Sequence, residues 1–269
     1  MNYRNEARRA LQRANDHLDD PGISRGRYAA LELRMALESL VYERADSYRE
    51  ELPGRALYTW QPGKLLKMLL EIDPLADKSS SLSIGEEVKY GEYAPRMRFL
   101  GHDRVLTLKE IKRYYDRLGS YLHAPTREQV DSEKRVSDEK IVKRCRELTH
   151  ILDEVLASPV FNLDFRVTSK IQCEKCESMI TRSLPSDGEK FVAKCISCLA
   201  EYDVVLDKGG KAIWTPRVEV IGCGNPNCNA KLELWNSEIK VGTNWLCSTC
   251  GGRNVILLGL QHQSSHEDT

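Results

Sequence analysis

The chain has 269 residues, 40 basic and 40 acidic side chains, a net charge of zero and 41% hydrophobic content. That is room for about two or three domains with real cores, and it excludes a disordered chain. The balance also excludes a protein that coats nucleic acid through bulk charge, so any contact with RNA or DNA must be local.

The N-terminus, Met1 to Arg9, has no apolar stretch of the kind a secretory signal needs. The longest apolar runs, such as Val255 to Leu258, are far too short to span a bilayer. We expect a soluble, cytoplasmic protein with no membrane partner.

The first half is helical by pattern. Asn2 to Asp19 places Ala7, Ala10, Leu11, Ala14 and Leu18 on one helical stripe, and Asp20-Pro21-Gly22 stops it. Ser24 suits the cap of a second helix running to about Leu52, with Tyr28, Leu31, Met35, Leu40 and Val41 as its apolar face. A shorter helix is expected from about Gly63 to Ile72. The stretch from Ala76 to Leu106 reads as a long loop or a small hairpin. Thr107 with Glu110 resembles a capping box opening a helix through Tyr121 or His123, and Pro125 puts His123 near that helix's end. The last helix runs from about Asp138 to Ala157, with Cys145 as an ordinary buried thiol.

The second half changes vocabulary. Phe191–Ala193, Tyr202–Leu206, Ala230–Trp235 and Val255–Leu258 are short β-type runs bounded by turn residues. Of nine cysteines none precedes Cys145, and eight fall between Cys173 and Cys250. Cys173 and Cys176 are followed by Cys195 and Cys198, and Cys223 and Cys228 by Cys247 and Cys250. The last three members of the two sets are 52 residues apart and the first members 50, so one module occurs twice.

Two cysteines in a tight turn aim both sulfurs at one point, and two such turns supply the four thiolates of a tetrahedral Zn²⁺ site. Four thiolates leave no open position for water, which makes both expected zincs structural. An iron–sulfur or rubredoxin-like iron centre uses the same ligands, whereas disulfides would need a secretory context. The modules resemble zinc ribbons, a scaffold that binds nucleic acid, binds protein or only braces a fold. From Phe161 onward twelve Lys and Arg face thirteen Asp and Glu, which argues against nonspecific duplex binding. Trp214, Trp235 and Trp245 suit base stacking, a protein anchor or a small β core.

In the helical half, Tyr28-Ala-Ala-Leu-Glu-Leu-Arg-Met-Ala-Leu-Glu38 on a long helix, followed by Tyr115-Asp-Arg-Leu-Gly-Ser-Tyr-Leu-His123 near a helix end, resembles the HEPN superfamily of all-α domains. Many of those are metal-independent, dimeric RNases with an Arg-x(4–6)-His motif, which Arg117 and His123 match with five intervening residues. Leu118 departs from the polar residue many catalytic members place after the arginine. Arg96 with His102 and Arg144 with His150 have the same spacing. Arg117 and His123 are preferred because they close a capped helix with an apolar flank.

The resemblance implies a histidine that moves the 2′-OH proton and an arginine that steadies the phosphate. Six residues of helix rotate by about 600°, leaving the two side chains about 120° apart, so a partner helix or a second protomer must complete their cleft. A basic cluster on this helix is not expected, since Lys109, Lys112, Arg113 and Arg117 alternate with Glu110 and Asp116.

The expected architecture is multidomain: an all-α HEPN-like domain over 1–160, zinc ribbons over 168–208 and 217–261, and a flexible tail over 262–269. The expected function is a HEPN-type RNase of toxin or antiviral-defence character, working as a homodimer on RNA, with the ribbons as a sensing or targeting arm that also docks protein. The alternatives are a noncatalytic adaptor whose ribbons grip a protein or nucleic-acid end, and a transcription-associated zinc-ribbon protein.

Overall fold

The computed structural model describes residues 1–259 apart from 23, 53–55, 59–60, 87, 90–93, 125, 129–135, 163–165 and 186–187. The expected tail over 262–269 therefore lies outside the described residues. The chain divides into two compact units, 1–167 and 168–269. The first is helical with one β-hairpin, and the second consists of small antiparallel sheets. No helix among the described residues is long and apolar enough to cross a membrane.

In the first unit, α1 (Tyr3–Asp19) begins where the Asn2 side chain accepts the Asn5 N–H, and its alanine–leucine stripe is buried as expected. Around α2 (Arg25–Asp46) pack α1, α3 (Pro62–Ile72), α4 (Leu108–Leu122) and α5 (Asp138–Leu156). Small residues let so many neighbours approach. Gly26, Ala29, Ala30, Ala36 and Ala45 are buried, and a Cβ on Gly26 would stand 3.0 Å from Cγ2 of Ile141 on α5.

Two expectations for α2 are corrected. Ser24 makes no side-chain cap; it takes a left-handed φ of 72°, and the helix ends at Asp46 rather than near Leu52. Beyond it Tyr48 is buried, donating its hydroxyl to Asp73 at 2.7 Å, with the Arg166 guanidinium stacked 3.8 Å from the ring centre. Leu40 and Val41 are buried, but Tyr28, Leu31 and Met35 are exposed. Because charged and apolar residues are mixed around α2, hydrophobicity alone could not choose the buried face, and the small residues mark it.

The stretch after α3 is a hairpin: β1 (Ser80–Ile84) pairs antiparallel with β2 (Arg98–Asp103) around a bulge at Leu82 and Ser83. Thr107 and Glu110 form the reciprocal capping box, at 3.2 and 2.9 Å, and α4 starts there. At its far end His123 is extended, with φ −83° and ψ 152°. Ser137 caps α5 by accepting the Lys140 N–H. Cys145 is fully buried on α5, and burial pushes its thiol up to about 12, as for an inert core thiol.

Buried charge closes this unit. Arg4 is only 5% exposed; it meets the Glu43 carboxylate at 3.1 and 3.2 Å and donates to the carbonyls of Val155 and Leu156, the negative end of α5. Burial raises the Glu43 carboxyl above its ordinary range against the pull of Arg4. Arg44 joins the Ala76 carbonyl and Asp103 in the same way.

In the second unit, β3 (Thr168–Gln172) pairs with β4 (Met179–Ser183). The strands β5 (Phe191–Lys194), β6 (Glu201–Leu206) and β7 (Ala212–Pro216) form one three-stranded sheet. Next, β8 (Val218–Gly222) pairs with β9 (Lys231–Trp235), and β10 (Asn244–Leu246) with β11 (Arg253–Val255). The strand expected over Val255–Leu258 covers only Arg253–Val255, and Leu257 and Leu258 are exposed. Trp214 and Trp235 pack on Tyr202, with ring centres 6.0 and 5.3 Å away. Trp235 belongs to the second cysteine module, so the two modules share one aromatic core, clamped by Lys175 and Glu238 at 2.6 Å.

Replacing Arg4 with Met strands a buried carboxylate and should cost about 3 kcal/mol of stability in the helical unit, measured by denaturant unfolding followed through helical circular dichroism. The Arg4→Met/Glu43→Leu double variant should recover most of that. A loss below about 1 kcal/mol for Arg4→Met would place this pair with ordinary surface bridges.

Candidate metal centres and the arginine crevice

Each cysteine pair sits in the turn of a β-hairpin: Cys173 and Cys176 between β3 and β4, Cys195 and Cys198 between β5 and β6, Cys223 and Cys228 between β8 and β9, Cys247 and Cys250 between β10 and β11. The three short turns repeat one backbone. The N–H of the residue after the second cysteine returns to the first cysteine's carbonyl, from Glu177, Leu199 and Gly251 at 2.8, 2.8 and 2.9 Å. Those three residues have φ of 61°, 64° and 70°. Gly251 adopts this readily, while Glu177 and Leu199 take a conformation that costs an ordinary residue about 1–2 kcal/mol. A strain met at matching positions is what a turn shaped to aim two sulfurs requires.

The turns bring the sulfurs together as the spacing implied. Cys173, Cys176, Cys195 and Cys198 form one cluster, and Cys223, Cys228, Cys247 and Cys250 the other, with all sulfurs in each within 4.8 Å of one another. Across each cluster the closest pairs stand at 3.7 and 3.6 Å, and at 3.7 and 3.8 Å. A tetrahedral centre with metal–sulfur bonds of about 2.3 Å has sulfur–sulfur edges of about 3.8 Å, whereas a disulfide needs about 2.05 Å. The geometry fits two four-thiolate metal sites.

Thiols in both clusters are held below their ordinary range: Cys176 in the first, and Cys247 and Cys250 in the second, the last mainly by the Gly252 N–H. The Cys250 and Thr249 backbone N–H groups bring the Cys247 thiol down to about 6. Burial works to raise Cys176, but the Ser178 hydroxyl and N–H outweigh it and bring that thiol to about 6 as well. Both are mainly thiolate at neutral pH, the form that binds metal.

The two centres differ beyond their ligands. Four residues after the last cysteine of each set, Tyr202 and Asn254 occupy equivalent places. Tyr202 accepts the Glu174 N–H at 2.8 Å, and Asn254 Oδ1 accepts the Gly224 N–H at 2.7 Å. Tyr202 also donates its hydroxyl to Cys173 Sγ at 3.5 Å, a bond that strengthens as the sulfur becomes anionic. Asn254 Oδ1 lies 3.6 Å from Cys223 Sγ and can bond it only while that sulfur keeps its proton. The second cluster also has an exposed ligand, Cys250, where the first has none. Sequence reasoning missed both supporting residues, although aligning the repeat puts them at one position.

The Arg/His candidates scatter. His123 ends α4 exposed to solvent. His102 bonds Ser81 on the hairpin at 2.7 Å, and Arg96 and His150 are exposed. Arg117 instead lines a crevice of about 200 Å³ between α4 and α5, where it meets Arg144 from a different candidate pair. Leu118, Leu148 and Ile151 contribute apolar surface to it, and Arg113, Tyr114, Tyr121 and Glu147 complete the lining. His123 is not among those residues.

Lys109, Lys112, Arg113 and Arg117 are exposed and interleaved with acidic residues on α4, as expected. Arg113 and Arg117, one turn apart, both line the crevice, whereas Asp116 is exposed outside it and Glu110 is held by Thr107 in the capping box while still attracting Arg113. No known protein family, curated protein or solved structure matches the chain.

Tyr202→Phe removes the hydroxyl aimed at Cys173 Sγ while keeping the ring's packing, and leaves the Ser178 hydroxyl on Cys176 in place. It should speed metal transfer from that cluster to a chromogenic chelator by about tenfold or more, with the second cluster unchanged. Equal release from both clusters before and after the substitution would refute the role given to Tyr202.

Proposed function

We propose that the helical unit is a HEPN-type, metal-independent RNase that acts as a homodimer, and that the second unit is a pair of zinc ribbons serving as a targeting or sensing arm. The observation that carries this reading is Arg117. Its guanidinium has no hydrogen-bond or ion-pair partner among the described residues, it opens into an arginine-lined crevice, and it lies six residues before the exposed His123 on one helix.

The chemistry asked of these residues is modest. His123 takes the proton from a ribose 2′-OH as that oxygen attacks the adjacent phosphorus, and Arg117 offers its planar fork to the phosphate oxygens as negative charge builds on them. The P–O5′ bond breaks, leaving a 2′,3′-cyclic phosphate on one product. The 5′ oxygen collects a proton from a protonated imidazole, for which the His123 of a second protomer is available. The separation of Arg117 and His123 around the helix makes that second protomer a requirement.

The cysteine chemistry supports zinc in the ribbons: four thiolates at tetrahedral spacing suit a closed structural site, with Cys173, Cys176, Cys195 and Cys198 holding one ion and Cys223, Cys228, Cys247 and Cys250 the other. Each loaded site carries two net negative charges, which favours a protein partner, or bases stacked on exposed rings, over duplex backbone.

One observation favours the noncatalytic adaptor as a second reading: His123 does not line the crevice that holds Arg117. The deciding assay is degradation of labelled single-stranded RNA by the purified full-length protein in the presence of a chelator too weak to strip the cysteine sites. The RNase reading expects cleavage that survives the chelator, ends in cyclic phosphate and falls about 10²–10⁴-fold in His123→Ala. Cleavage that is unchanged in that variant, or absent from a folded dimer, overturns it.

A further inference from the structure

We propose that the crevice between α4 and α5 is a phosphoryl-binding site, in which Arg113, Arg117 and Arg144 hold the anion and the Tyr114 and Tyr121 hydroxyls complete its coordination. This goes beyond the RNase reading and does not depend on it, because the argument uses neither His123 nor any bond-breaking step.

The first ground is unbalanced charge. Several arginines elsewhere in the helical unit are matched to carboxylates, Arg4 to Glu43, Arg13 to Glu32, Arg44 to Asp103 and Arg146 to Asp19, and others are spread singly over its surface. Arg113, Arg117 and Arg144 have no such ion pair among the described residues, and the crevice they share contains one carboxylate, Glu147. Three cations against one anion around about 200 Å³ leave an excess charge of two, which a doubly charged ligand would neutralise.

The second ground is the direction of the hydrogen bonds. Arg113 donates to the Tyr114 hydroxyl oxygen at 2.7 Å and Arg144 to the Tyr121 hydroxyl oxygen at 2.9 Å. Each phenol therefore accepts from a guanidinium and keeps its own proton for something else. The Arg144–Tyr121 bond crosses from α5 to α4, so it also fixes the width of the crevice. The ligand that uses two hydroxyl donors and several guanidinium N–H groups has many acceptor oxygens on one centre. A carboxylate has two oxygens and saturates a single fork; a phosphoryl group has three or four and spans several. The apolar surface of Leu118, Leu148 and Ile151 gives the group's organic portion somewhere to lie.

A phosphoryl group can arrive on a free nucleotide, at an RNA terminus or within an RNA backbone, and the probes separate these sources. Binding is measured by titration calorimetry on full-length, metal-loaded His123→Ala protein, which keeps any RNA intact. The probes are inorganic phosphate, adenosine monophosphate, and a short single-stranded oligoribonucleotide with and without a 5′-phosphate.

The site predicts saturable binding that weakens with added salt. Arg144→Gln, at an exposed position and with melting as the folding control, should weaken binding by about 10–100-fold, and Tyr121→Phe by about 2–10-fold. Preference for the 5′-phosphorylated oligonucleotide identifies a terminal group, equal binding of both oligonucleotides identifies the backbone, and mononucleotide binding alone identifies a free nucleotide. Absence of saturable binding to every probe, or binding that Arg144→Gln leaves unchanged while melting is unaltered, overturns the proposal. A protein that binds but never cleaves RNA refutes the RNase reading alone.

Discussion

The second unit depends on four sulfurs meeting at one point. Its strands are three to six residues long and its sheets have two or three strands, too little to bury enough apolar surface for independent stability. Apart from the Tyr202, Trp214 and Trp235 cluster it has little core. A metal held by four thiolates would replace the missing core, because its binding free energy becomes folding free energy, of order 10 kcal/mol per site. The left-handed conformations at Glu177 and Leu199 are intelligible only on that scale. A cost of about 1–2 kcal/mol is easily carried when it aims ligands worth several times as much.

The helical unit solves its packing differently. A line of alanines and Gly26 along α2 admits four other helices at close range, and buried ion pairs settle how the ends meet. Arg4 serves three purposes at once: it neutralises Glu43, caps the carbonyls that end α5, and stacks 4.1 Å from the Phe161 ring. A hydrophobic triad of similar volume could be as stable, but it would take one donor from the final carbonyls of α5, leaving Val155 to the Ser158 N–H and Leu156 to the Arg8 guanidinium. That dependence ties the N-terminal helix to the last one across the whole unit.

How much of this was legible in the sequence follows from what each signal measures. Cysteine spacing reports a covalent requirement, and both clusters formed as read. Capping residues report a local hydrogen bond, so Thr107, Glu110 and Ser137 marked true helix starts, while Ser24, whose hydroxyl has no cap to make, did not. Apolar periodicity reports only that a face can be buried, and on α2, where charged and apolar residues are mixed around the helix, it misassigned Tyr28, Leu31 and Met35. The strands β3, β4, β7, β8 and β10 passed unread because strands of three to five residues carry too few alternations. The Arg-x(5)-His spacing detected Arg117 and Arg144 in two separate pairs but not their meeting across two helices, which is a tertiary fact.

The zero net charge takes on a different meaning once partners are assigned. A total counts charges as if each were free, whereas the potential in a crevice depends on which ones are already neutralised nearby. Glu110 is one case: burial works to raise its carboxyl, but the Thr107 N–H and hydroxyl, with Arg113 nearby, keep it below its ordinary range. Arg4, Arg13, Arg44 and Arg146 are likewise paired with acidic partners. Three arginines without such an ion pair among the described residues share the crevice where α4 and α5 face each other. A chain can thus be neutral overall and still present an excess of two positive charges over one small volume, which is the scale on which a single phosphate is recognised.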